Sequence, residues 1–180
     1  MNKTYAKRLA FGEIRENIIE EFINNSSKYK GTKYISYDKD GNVTWQQIDT
    51  RYGKKRHPDF LVDNRKTKEV AILIEVKSLA EEYYNTLDNI SIFEKEGEPF
   101  LTAEKSKIDD YIYVQSHYEV PCKIVFVVGR DNEQKRFYWE TLDYLINNVD
   151  YEGKPYGDGS PVCYIWRENS LRWGLDGLLK

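Results

Sequence analysis

Cysteine is scarce in this 180-residue chain: there are two, Cys122 and Cys163. Neither has a second sulfur two or four residues away, which excludes the paired half-sites of a structural zinc, and each sits in a β-like run as a buried thiol. Long apolar runs are also missing. The longest, Ala71–Ile74 and Ile124–Val128, fall far short of the roughly 18 residues that a membrane-spanning helix needs. The first residues have no apolar stretch with a small-residue cleavage site, so no secretory signal is read and a cytoplasmic location is expected. Internal repeats and low-complexity tracts are absent. A net charge of -3 excludes a coat for nucleic acid that binds by bulk charge alone.

What the chain does have is 40% hydrophobic and 14% aromatic residues, enough for the core of one domain over 1–180. Its charge is lopsided, with +5 over residues 1–78 and -8 over 79–180, which hints at a basic face for a polyanion. From 7 to 27 the spacing of Phe11, Ile14, Ile18, Ile19, Phe22 and Ile23 predicts an amphipathic helix. Short strands at 33–37 and 43–45 are expected around the turn residues 38–42, followed by the basic run 51–56. Residues 57–63 and 70–78 read as adjacent antiparallel strands joined by a polar turn at 64–69. An insertion at 79–100, helical or lid-like, breaks the pattern. A helix over 101–119, with Thr102 as its N-cap, precedes Pro121 and a strand at 122–129 buried on both faces. Beyond lies an extension over 131–180, with a short helix at 140–148 and a last strand at 162–166. The order predicts an α/β fold, a mixed sheet with helices on both faces.

Alternation along the two central strands puts Asp59 and Leu61 on one face, and Leu73, Glu75 and Lys77 on one face. Carboxylates and an ammonium among apolar neighbours are costly unless they bind something. As an ordinary reading, Asp59 is a strand-start acid, and Glu75 with Lys77 a solvated ion pair. Pro58-Asp59, fifteen residues, then Glu75-Val76-Lys77 resembles the motif of the PD-(D/E)xK nuclease superfamily, which includes restriction endonucleases and Holliday-junction resolvases. The likeness spans roughly residues 8–130 and extends to the order of elements, αβββαβ.

That resemblance implies a restriction endonuclease-like core and a metal-dependent endonuclease, with DNA as the expected substrate. It implies Mg²⁺, with Mn²⁺ able to substitute, held by Asp59, Glu75 and the Val76 carbonyl, and Lys77 acting on the attacking water. Hard oxygen donors of this kind suit Mg²⁺, which needs only one or two carboxylates beside its waters and a substrate phosphate. A further acid is implied from the first helix: Glu16 lies beside the Ile19/Ile23 stripe and is preferred, with Glu13 as the alternative. Lys54, Lys55 and Arg56, with Arg65, Lys66 and Lys105, are candidate phosphate contacts, and solvated loops or helix faces would explain them equally simply. His57 and His117 read as structural. Gln115 is a polar candidate on the second helix, and Tyr83 and Tyr84 are stacking candidates that more simply pack the insertion. A homodimer stays open. The rival function is a catalytically silent domain of the same fold that binds DNA or a protein; a third reading is an unrelated α/β protein with an accidental motif.

Overall fold

The computed structural model describes residues 3–36, 46–79, 100–129, 134–154 and 159–180, with side chains from Gly12 onward. Helix α1 (Lys3–Asn24) lays Ile19 and Ile23, one turn apart and fully buried, on the sheet. The apolar stripe is narrower than the sequence pattern: Ile14 is exposed and Arg15 is buried in its stead. The Arg15 guanidinium donates to the Gly129 carbonyl, 114 residues away in sequence, a demand that no local pattern reveals.

Strand β1 covers Tyr29–Lys33, earlier than the expected 33–37, and ends where Tyr34 N–H donates to the Asp59 carbonyl at 2.8 Å. The expected turn at 38–42 and strand at 43–45 lie outside the described residues. The basic run is itself a hairpin, β2 (Gln47–Thr50) with β3 (Gly53–Arg56). Its turn needs Gly53, whose φ of 88° disfavours a side chain. Next come β4 (Phe60–Asn64) and β5 (Val70–Leu79), antiparallel as expected.

Phe100–Glu104, expected to open a helix, is strand β6, which pairs with a strand some sixty residues later, β10 (Cys163–Arg167). Thr102 is buried opposite Ile165, so it caps nothing, and α2 (Lys105–Tyr118) starts at Glu104 without a side-chain cap. The pairing overrides local cap chemistry. Glu119, left-handed at φ 57°, stops α2 ahead of Pro121. Strand β7 (Cys122–Val128) is buried throughout. The chain then forms β8 (Arg136–Thr141), α3 (Leu142–Asn147), β9 (Tyr151–Gly153), β10, a 3-10 turn at Glu168–Ser170 and β11 (Arg172–Trp173).

The central sheet runs β1-β4-β5-β7-β8-β11, with β5 and β7 parallel and its other pairs antiparallel, so the class is mixed α/β. The stretch read as an extension thus supplies β8 and β11 to this sheet. A smaller sheet, β6-β10-β9, packs beside α2. Alternation splits the apolar residues into two cores. Phe60, Val62, Ile72, Ile74 and Val76 meet α1; Leu73, Ile124 and Phe126 meet Ile108, Tyr111 and Val114 of α2. Among the described residues no helix is long and apolar enough to cross a membrane.

Candidate active site

The backbone pairing of β4 with β5 stops at Phe60 opposite Ile74. Beyond it, the β5 edge has no strand partner on that side among the described residues, and the Val76 N–H donates to Asp59 Oδ2 at 2.7 Å. In an extended strand a residue's N–H and C=O lie on the same edge, so the Val76 carbonyl shares the edge that Asp59 caps. One residue earlier, Glu75 points to the α2 side, where Lys77 Nζ donates to its Oε1. Asp59 and Glu75 are only 8% and 5% exposed, and Glu75 Oε2 is buried with no hydrogen-bond partner among the described residues.

Burial, then the charges of Glu75 and Glu16, pushes the Asp59 carboxyl well above its ordinary range. Burial pulls the Lys77 ammonium down, but Glu75 and Asp59 outweigh it and leave the group above its usual value, hence charged at neutral pH. Tyr111 of α2 closes the far side: the Lys77 ammonium stands 5.6 Å from its ring, and burial with the Glu75 charge drives its phenol well up. Glu16 of α1 is half-buried, acts electrostatically on Asp59, and is 3.4 Å from Lys33. Glu13 is exposed, whereas Glu16 is half-buried and its charge acts on Asp59.

Asp59, Glu75 and Tyr111 line a cleft of about 450 Å³, with Arg56, His57, Glu104, Lys107 and the paired glutamines Gln46 and Gln47. Lys77 stands beside Glu75 without lining the cleft itself. Glu104 accepts from Ser106 at 2.6 Å and pairs with Arg56 and Lys107 at 3.2 and 3.4 Å. Burial alone would raise it, yet these three partners hold its carboxyl below the usual value. His57 is buried, stacked on Tyr34 at 3.7 Å and edge-on to Tyr118 at 5.5 Å. Its Nδ1 meets the Pro58 carbonyl, which fixes the hydrogen there and leaves the Nε2 lone pair buried, with no partner among the described residues. Burial first, only partly offset by that carbonyl and Glu75, lowers the imidazole to about 4, so it is neutral.

Several candidates are elsewhere. Arg65 and Lys66 sit in the turn at the opposite end of the β4–β5 hairpin, about 16 Å along the strands from Asp59 at about 3.3 Å per residue. Lys105 pairs with Glu152 at 2.7 Å outside the cleft, and Lys54 is exposed beyond it. Lys55 pairs with Asp110 at 3.5 Å. Gln115 ties α2 to β7 by accepting from Cys122 N–H at 2.7 Å, and His117 is an exposed ring edge-on to Tyr118. Cys122 and Cys163 are free and buried, and burial pushes both thiols up. Tyr83 and Tyr84 lie outside the described residues. No motif or spacing singles out Tyr111, Glu104 or Lys107; Tyr111 reads as part of an apolar stripe, and only its polar tip distinguishes it.

Among the described residues no three His, Cys, Asp or Glu side chains form a ready cage for a metal. The donors present still fit Mg²⁺, which takes one or two carboxylates and keeps its waters. A buried carboxylate oxygen without a partner, beside a second carboxylate forced toward its neutral form, is the electrostatic environment that a hard cation relieves. No family model, no curated protein and no solved structure matches the chain.

Proposed function

We propose that the chain is a metal-dependent phosphodiesterase that hydrolyses nucleic acid, with DNA as the expected substrate and a core of the restriction endonuclease-like, PD-(D/E)xK type. One observation carries this reading: two buried carboxylates, one just ahead of β4 and one on β5, the latter with an oxygen unpartnered among the described residues, open on a polar cleft beside a charged lysine.

Asp59, Glu75 and the Val76 carbonyl would hold Mg²⁺ or Mn²⁺. Bound there, the ion would acidify the attacking water and neutralise charge building on the phosphate. The chain's own residues do the rest. The Val76 N–H holds Asp59 in place, and Lys77 keeps a positive charge and a donor within reach of the carboxylates. His57, neutral and lining the cleft with a buried Nε2 acceptor that has no partner among the described residues, is not a cation that would repel a metal. Arg56 and Lys107, which share Glu104, give the rim the cations that phosphates position against.

Incubation with supercoiled plasmid and single-stranded DNA in Mg²⁺, Mn²⁺ or chelator tests the reading. Cleavage with metal, lost in chelator and in Asp59→Asn, is the expected result; no cleavage of either substrate with either metal contradicts it. The direct Lys77–Glu75 bond favours a second reading, a silent domain of this fold that binds DNA or a protein, since the pair is satisfied in part without any ion. Metal-independent DNA binding with no cleavage would select it.

A further inference from the structure

The β2–β3 hairpin lies along α2, and its far end carries a feature that the cleft does not use. Tyr52 and Tyr113 come from different elements, yet their rings meet at 4.9 Å, tilted by 51°, while remaining 50% and 37% exposed. Each ring has a cation over it: the Arg51 guanidinium at 4.7 Å from Tyr52 and the Lys55 ammonium at 4.4 Å from Tyr113. Lys54 is exposed and makes no ion pair among the described residues. The hairpin holds four cations, Arg51, Lys54, Lys55 and Arg56, against one acid, Asp49.

This platform continues from the cleft. Arg56, on the cleft wall, is bonded at the start of α2 through Glu104, and Arg51 reaches Ser116 near the helix end. At about 1.5 Å and about 100° per residue, Tyr113 is roughly 9 Å further along the helix axis than Lys107 on the cleft wall and about 120° round it, so 9 Å is the least separation between them. Stacked nucleotides advance by about 3.4 Å each, so at least about three of them span that gap.

We infer that Tyr52 and Tyr113, with Arg51 and Lys54, form a stacking platform for unpaired bases, and that the preferred substrate of the cleft is a single-stranded stretch of nucleic acid. This rests on the cleft being the phosphodiester-cleaving site. The chemistry selects a single strand because exposed aromatic rings beside cations offer bases a π surface and phosphates a charge, whereas a duplex hides its base faces in its own stack.

Binding of dye-labelled single-stranded DNA, single-stranded RNA and duplex of one length, measured by anisotropy on Asp59→Asn, tests this. Either single strand should bind at least about tenfold tighter than the duplex. Tyr52→Ala and Tyr113→Ala should each weaken single-strand binding by about 5- to 150-fold, the range expected for one base–aromatic stack. Phe should restore it and Leu, which keeps apolar packing but has no π face, should not, with melting temperature as the check on folding. Leu binding as well as Phe, duplex binding equally well, or no binding of any strand overturns the inference. The two readings separate: wild type that cuts duplex while the tyrosine variants bind normally removes the platform and keeps the phosphodiesterase. The predicted binding pattern without metal-dependent cleavage does the reverse.

Discussion

The β4–β5 hairpin carries charge at both of its ends and treats it in opposite ways. At the turn, Arg65 donates to the carbonyls of Ser26 and Asn24 at 3.1 and 3.0 Å, finishing the end of α1, and Asn64 Oδ1 accepts from Lys66 N–H at 2.9 Å. The other charges there are in water. At the open end Asp59 and Glu75 are buried, one pushed toward its neutral form and the other keeping a partnerless oxygen. A folded chain rarely leaves such groups unrelieved, because an unsatisfied buried acceptor costs about 1–3 kcal/mol. Charge at the turn is satisfied locally and serves the architecture; charge at the open end is buried, and under the proposed function a ligand completes it.

That contrast can be broken from either end. The largest effect belongs to the open end: Asp59→Asn should lower cleavage more than about 1000-fold, since several kcal/mol of transition-state stabilisation go with the metal. It should leave metal-free stability unchanged or higher, checked by denaturant unfolding in chelator. Lys77→Met, which keeps the stem and removes the charge, should cost about 100-fold or more in turnover with the fold and metal-dependent stabilisation retained.

His57 sets a pH dependence. Its imidazole has a folded value of about 4 against an ordinary 6.5, so the unfolded chain takes up a proton first. Stability from this group is full above about 6.5 and is lost as the pH falls toward 4, by about 3 kcal/mol at the limit. Asp59 acts the other way, its raised carboxyl costing stability at neutral pH and recovering it on acidification. His57→Phe should therefore flatten the loss between pH 6.5 and 4.5, read from unfolding curves in chelator.

Smaller effects sharpen the turn end. Arg65→Ala should cost about 1 kcal/mol of stability for its two bonds to carbonyls and leave turnover alone. Neutralising Arg65 and Lys66 should not change the salt dependence of DNA binding. Removing Lys54, Lys55 and Arg56 together should flatten it by up to two to three units of log-log slope, at about 0.7–0.9 per lost phosphate contact. Glu16→Gln should slow turnover by a few-fold and Glu13→Gln not at all, because Glu16 is half-buried with its charge acting on Asp59 and Glu13 is exposed.

Much of this frame was legible in the chain. Pro58-Asp59 and Glu75-Val76-Lys77 stand out because period-two alternation places charge where neighbours are apolar, and the same alternation assigns the two cores. Long-range demands were not legible. Phe100–Glu104 is a strand because β10 pairs with it from some sixty residues away, and Arg15 displaces Ile14 from the core because the Gly129 carbonyl needs a donor. The basic run 51–56 concealed a hairpin, since charge masks strand periodicity when both faces are largely wet. Arg65 and Lys66 lie between the two acids in sequence, but a hairpin puts its turn as far from its open end as it can.

We propose that a divalent cation completes the pair Asp59 and Glu75, of which Glu75 Oε2 is buried with no partner among the described residues. Melting temperature of the wild type and of Asp59→Asn, with and without millimolar Mn²⁺ or Mg²⁺, tests this without relying on any substrate. A rise confined to the wild type is the predicted result, since a ligand bound by the native state alone stabilises it by mass action. An equal rise in both proteins, or none in the wild type, would contradict the account.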